Sequence, residues 1–146
     1  PKGTTILDGI KAVAPNAKIT YDPNANKISK GDVVLAVIGE YPYAEGFGDD
    51  ADLRLNKADL EVLERAHASG NPVVVLLLSG RPLLIHDYVD KWDAFVASFL
   101  PGMAGEGIAD VLFGDANPQG KLSFTWPTSA DGSGVLYAQG SGTQYN

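Results

Sequence analysis

The chain has 146 residues, 45% of them apolar, and sets 18 acidic against 11 basic side chains for a formal charge of −7. That length suits one domain burying roughly two-thirds of the surface its unfolded form exposes, and the acidic balance repels phosphate backbones and anionic membranes, so neither nucleic acid nor a membrane is an expected partner. The absence of cysteine excludes a disulfide framework, a thiolate metal site and a cysteine nucleophile, and the longest apolar run, Val73 to Leu78, is far too short to span a bilayer.

The chain begins at Pro1 with neither an initiator Met nor a signal-like segment, which suggests a piece of something longer; its compartment stays open. Thr4 to Ala14 carries Ile6, Leu7, Ile10 and Val13 at helical spacing behind a Thr-Thr N-cap and ahead of Pro15, and predicts an amphipathic helix. Ala17 to Tyr21 reads as a short strand, followed by a turn at Asp22 to Asn26. Asp32 to Ile38, Val73 to Leu78 and Ala94 to Leu100 are near-continuous apolar runs, the pattern of strands in the middle of a parallel sheet covered on both faces. Between the first two, Lys57 to Ser69 has a stripe of Leu60, Leu63 and Ala66 ending at Gly70, which predicts a crossover helix. A further helix is expected over Ala104 to Phe113, stopped by Gly114, and a last short strand over Leu122 to Thr125. The tail after Pro127 is rich in Gly, Ser and Gln and reads as loop or linker, dividing the chain into a domain of residues 1–127 and a tail of 128–146.

Alternating helix and strand predicts an α/β fold: a doubly wound, mostly parallel sheet in a three-layer α/β/α sandwich, whose ligands gather outside the carboxyl ends of the strands. Such a unit ordinarily opens with a strand, so one is expected upstream of Pro1, and its loss would leave an unpaired edge open to self-association or a second chain.

Glycine-rich turns raise the possibility of a nucleotide site, and each fails in detail. Gly114 to Lys121 has five residues between its glycines and Leu122 where a magnesium-binding hydroxyl belongs; Gly105-Glu106-Gly107 has Asp110 at the third glycine position. His67 reads as solvated and His86 as a structural neighbour of Asp87; neither has metal-ligand spacing, so no cofactor and no metal are expected. The segment Gly39 to Asp50 follows a buried strand and mixes carboxylates with aromatics, the composition of a sugar site: aromatic faces stack on a pyranose while carboxylates bind hydroxyls or move protons. Tyr43 and Phe47 are the candidate sugar contacts, and Glu45, flanked by Ala44 and Gly46, is the candidate acid/base. Composition alone favours Glu40, Glu45, Asp49 and Asp50 as solvated loop acids, with the tyrosines packing the loop down. Arg81, after the strand ending at Leu78, stands at the same edge and can hold a carboxylate; a turn preset by Pro82 explains the segment as well. Trp92 and Trp126 stay unassigned between sugar stacking and core closure.

Three ordered stretches carry a resemblance: Val37-Ile38-Gly39-Glu40-Tyr41-Pro42-Tyr43-Ala44-Glu45-Gly46-Phe47-Gly48-Asp49; Val74 to Pro82 with its Ser-Gly-Arg-Pro ending; and Leu100-Pro101-Gly102 through Gly105-Glu106-Gly107-Ile108-Ala109-Asp110 and Asn117-Pro118-Gln119-Gly120-Lys121 to Trp126-Pro127. Together they resemble glycoside hydrolase family 3, specifically the α/β sandwich domain that follows the catalytic barrel in its β-glucosidases and exoglucanases. The resemblance implies retaining hydrolysis of a β-glucoside or β-glucan oligosaccharide. An Asp of the barrel would be the nucleophile and Glu45 the acid/base; Glu40, Asp49 and Arg81, from their positions at the same edge, are expected to support the loop. Retaining chemistry sets its two carboxyl groups about 5 to 5.5 Å apart, so the site would be shared with a barrel absent from this sequence, and the fragment alone is expected to be inactive. The family pattern also continues beyond Tyr145-Asn146. The competing expectation is a non-catalytic carbohydrate-binding or interdomain module.

Overall fold

The computed structural model describes residues 3–31 and 33–143. Pro1, Asp32 and the chain end at Tyr145-Asn146 lie outside the described residues. Helix α1 (Ile6–Val13) is followed by strand β1 (Val34–Gly39), helix α2 (Lys57–Ala68), strands β2 (Val73–Leu78) and β3 (Ala94–Ala97), and helix α3 (Gly105–Phe113). The strands form one parallel sheet in the order β1-β2-β3, with Val34 opposite Val73, Gly39 opposite Leu78, and Val75 opposite Phe95. The fold is therefore the open α/β sandwich expected, and no described helix is long and apolar enough to cross a membrane.

Two of the helices begin where the sequence supplies a side-chain cap. Thr5 Oγ1 accepts the Asp8 N–H at the start of α1. At α2, Asn56 Oδ1 accepts the Asp59 N–H at 2.9 Å while Asn56 Nδ2 donates back to the Asp59 carboxylate at 2.8 Å, a reciprocal cap. Gly70 (φ +69°) and Gly114 (φ +85°) take the left-handed conformation that ends α2 and α3.

The core is built on one face of the sheet. Ala36 and Ile38 of β1 and Val73, Val75 and Leu77 of β2 pack with Leu63 and Ala66 of α2 and with Leu55, Leu83, Ile85 and Trp126. Alternation along β2 turns Leu76 to the other face, where it is also fully buried. Helices α1 and α3 pair through glycine: a β-carbon on Gly9 would overlap the backbone of Gly105, and one on Gly105 would overlap that of Thr5. Backbone hydrogen bonds from Thr4 to Met103 and from Gly105 to Thr4 lock their starts together.

Four expected strands are altered. Ala17 to Tyr21 is irregular and Tyr21 is 71% exposed; β-branched composition needs a neighbouring ladder, and this segment has none among the described residues. The third strand stops at Ala97 rather than Leu100, because Phe99 adopts φ 51° and turns the chain out of the extended conformation. Leu122 to Thr125 bends at Ser123 and Phe124 instead of forming a strand. It pairs with the tail, Leu122 N–H donating to Ser141 and Gly140 N–H to Leu122, and a single antiparallel bridge joins Trp126 to Tyr137. The described residues after Pro127 are irregular, yet Tyr137 lies parallel to Phe95 with centroids 6.3 Å apart, and Phe95 meets Trp126 edge-on. The first strand starts at Val34 and runs to Gly39. Its outer edge has no partner among the described residues, and Val37 is 43% exposed, so β1 is not covered on both faces.

Two outcomes are expected. Gly105→Ala, which sets a methyl against backbone with no side chain to yield, should lower stability by about 1–3 kcal/mol in urea unfolding. In the tail, hydrogen bonds from Ser129 Oγ and then from the Ser133 N–H lower the Asp131 carboxyl to about 2 from 3.8. The folded value is depressed, so this contribution to stability is present above the unfolded value and is lost as pH falls through the folded one. Carboxyl NMR should find the Asp131 midpoint near 2, and Ser129→Ala should return it toward the ordinary carboxylate range.

Candidate active site

Strand β1 ends at Gly39, where a side chain would collide with the Leu78 carbonyl of β2, so only glycine lets the two strand ends stay this close. The Gly39 N–H donates to Asp59 at 3.1 Å, tying the strand end to the α2 cap. Half-burial pushes the Asp59 carboxyl up, against the opposing pull of the hydrogen bonds from Gly39 and Asn56. The chain then leaves the sheet at its carboxyl edge as the loop of residues 40–49, and a 3-10 turn over Glu45–Gly48 forms its tip.

Glu40 is the hub of this loop. One carboxylate oxygen accepts the Arg81 Nε–H at 2.8 Å; the other accepts the Tyr43 hydroxyl at 3.0 Å and the Gly80 N–H at 3.2 Å. The Glu40 and Arg81 side chains are 15% and 24% exposed, so the pair is largely withdrawn from solvent. Arg81 also donates to the Gly48 carbonyl, and its guanidinium carbon lies 4.5 Å from the Tyr43 ring centroid. The Tyr43 ring fits only because Gly48 and Gly80 lack β-carbons, either of which would overlap it. Desolvation, and then the hydrogen bond to Glu40, raise the Tyr43 phenol above its ordinary value and keep it a donor.

The sequence candidates thus separate. Glu40, Tyr43 and Arg81 form one bonded cluster, in which Tyr43 uses its hydroxyl and a ring face internally. Phe47 stands 99% exposed on the turn. Glu45 is exposed with φ 50°, and among the described residues no group donates to its carboxylate. A cleft of about 380 Å³ beside the loop is lined by Glu40, Tyr43, Phe47, Asp49 and Arg81, but Glu45 is not part of its lining. Asp49 contributes to that wall and makes no side-chain hydrogen bond among the described residues. His67 is exposed; His86 lies 3.0 Å from Asp87. Trp126 is fully buried, donating from Nε1 to the Leu83 carbonyl at 2.8 Å, and closes the core. Sequence reading missed Asn56 and Asp59, although an Asn-x-x-Asp step ahead of an apolar helical stripe is a capping signal. It also missed Gly48 and Gly80, whose role exists only where Tyr43 crosses them.

A family model for the glycosyl hydrolase family 3 C-terminal domain matches residues 1–145. The chain belongs to this family. It is 32% identical over 157 residues to the lysosomal beta glucosidase of Dictyostelium discoideum, covering 94% of this chain and 19% of that protein. It is 34% identical over 156 residues to the beta-xylosidase of Formosa agariphila, covering 95% and 22%. The crystal structure of exo-1,3/1,4-beta-glucanase from a Pseudoalteromonas species aligns with a TM-score of 0.85 at 40% identity, over 98% of this chain and 20% of that one. This family 3 C-terminal domain therefore spans about a fifth of the length of the relatives it matches.

A double-mutant cycle measures the hub. Glu40→Gln should cost about 1–3 kcal/mol in the wild-type background and clearly less beside Arg81→Met, because the charge-assisted bond is then already gone. Urea unfolding of the four proteins reads the coupling; additive losses would mean that the pair contributes nothing specific.

Proposed function

We propose that this domain supplies the acid/base loop of a retaining β-glucosidase-like hydrolase, in a site shared with a barrel domain that carries the nucleophile. Glu45 carries the proposal: an exposed carboxylate with no partner among the described residues, on a left-handed backbone, at the tip of the loop leaving the carboxyl end of β1. A structural carboxylate in this loop behaves differently, as Glu40 does with its three donors. Relatives named as a beta-glucosidase, a beta-xylosidase and an exo-beta-glucanase support a β-linked glycan as substrate.

In the first step Glu45 gives its proton to the departing glycosidic oxygen while the barrel carboxylate attacks the anomeric carbon. In the second, the Glu45 carboxylate takes a proton from the water that attacks the glycosyl-enzyme, releasing the sugar with its configuration retained. Both steps require the two carboxyl groups to approach within about 5.5 Å. Because the proposed nucleophile lies on the barrel, the domain alone has no complete site. Phe47, fully exposed beside Glu45, offers a face for stacking on the sugar.

The test is Glu45→Gln in the full-length enzyme. Activity on an alkyl β-glucoside should fall by about 10²–10⁴-fold. With an activated aryl glucoside the first step should be nearly preserved, and azide, which needs no base, should restore turnover as the glycosyl azide. Wild-type activity on the alkyl substrate would refute the assignment. Saturable glucose binding by the isolated domain would instead favour a carbohydrate-binding module.

A further inference from the structure

Arg81 is attached to the loop at its beginning, middle and end, although it belongs to the segment after β2. Its Nε–H holds Glu40, the first loop residue, at 2.8 Å; its guanidinium covers the ring of Tyr43; and an Nη–H holds the carbonyl of Gly48, the last residue of the 3-10 turn. Between the second and third attachments lies Glu45, at φ 50°. A non-glycine residue in that conformation stores backbone strain and holds it only where the surrounding structure fixes both sides. Side-chain packing contributes little there: a β-carbon on Gly46 would meet open space, Phe47 is exposed and Ala44 is extended with φ −145°, while the turn itself is closed by the Asp49 N–H donating to the Gly46 carbonyl at 3.2 Å.

We infer that Arg81 is the positioning residue for Glu45: it clamps the loop on both sides of the acid/base, so that Glu45 keeps its left-handed backbone and presents its carboxylate at one place. This inference rests on the reading of Glu45 as the proton donor. The choice of Arg follows from geometry, since one planar guanidinium serves two acceptors in different directions while stacking on a ring. A Lys ammonium is a point charge that cannot stack in this way, so lysine would keep the charge and lose the clamp. Glu40 belongs to the same device, because it orients the guanidinium from Nε and the Tyr43 hydroxyl at once.

A displaced general acid harms substrates in proportion to their need for protonation. In the full-length enzyme, Arg81→Lys and Glu40→Gln are compared with wild type and Glu45→Gln on a series running from dinitrophenyl through phenyl to alkyl β-glucosides. The reading is kcat/KM, which reports the first chemical step. Arg81→Lys should stay within about threefold of wild type on the dinitrophenyl glucoside and fall by about 10²-fold on the alkyl one, partway toward Glu45→Gln. Thermal melting accompanies each variant, and Glu40→Gln carries the test if Arg81→Lys fails to fold. Loss by one factor across the whole series would show a merely structural role and overturn the inference, as would a wild-type profile. If Glu45→Gln steepens the leaving-group dependence while neither clamp variant does, the clamp falls and the acid/base reading stands. If Glu45→Gln leaves the dependence flat, that reading falls and takes the clamp with it.

Discussion

The ion pair between Glu40 and Arg81 joins the residues that follow two neighbouring strands at the carboxyl edge of the sheet, and Tyr43, Gly48 and Gly80 are bonded to it. Parallel pairing of β1 and β2 in register, Gly39 opposite Leu78, brings both chain exits to the same place. The bare backbone of Gly39 allows the approach, and the pair then uses a carboxylate and a guanidinium that partial burial would penalise singly. Neither charge is left short of partners: Glu40 takes three hydrogen bonds, and Arg81 adds a carbonyl and an aromatic face. A satisfied charge cluster of this kind is directional where apolar packing is not, which makes it suited to fixing a loop that has little hydrophobic anchorage of its own.

Sheet and helices follow from pattern. Val73 to Leu78 is apolar throughout and lies between two partners, so periodicity, burial and pairing agree on its limits. Agreement fails where a segment's fate depends on something distant. Ala17 to Tyr21 has the residues of a strand without a ladder to join. Phe99 takes a backbone conformation that phenylalanine disfavours, while its ring meets Phe124 edge-on at 5.9 Å, so the strand ends where local preference would continue it. The Ser123–Phe124 bend lets Phe124 reach that contact, a requirement invisible along the sequence.

The loop shows the same division. Its position at the functional edge is legible from a buried strand followed by carboxylates and aromatics, and Arg81 reads as a candidate carboxylate holder from its place after the next strand. What sequence cannot supply is the assignment of partners. Several acids lie between Glu40 and Asp50, and only three-dimensional proximity distinguishes the one enclosed by donors from those facing water. Tyr43 reads as a sugar contact by composition, and what holds its ring in place is written elsewhere: two glycines far apart in the chain, Gly48 and Gly80, create the slot for it. The ordered motifs point to family 3 because they record these distant requirements together.

Trp126 is fully buried, yet its backbone is completed by Leu136 and Tyr137, and Tyr137 covers Phe95 of the third strand. The aromatic heart of the domain is thus finished by a segment near the end of the described chain. During synthesis, which delivers residues in order, sheet and helices can assemble while Phe95 and the Trp126 site are still uncovered. The core is therefore sealed only once Leu136 and Tyr137 have emerged, and any pause before that point would prolong the exposure of a sticky aromatic surface.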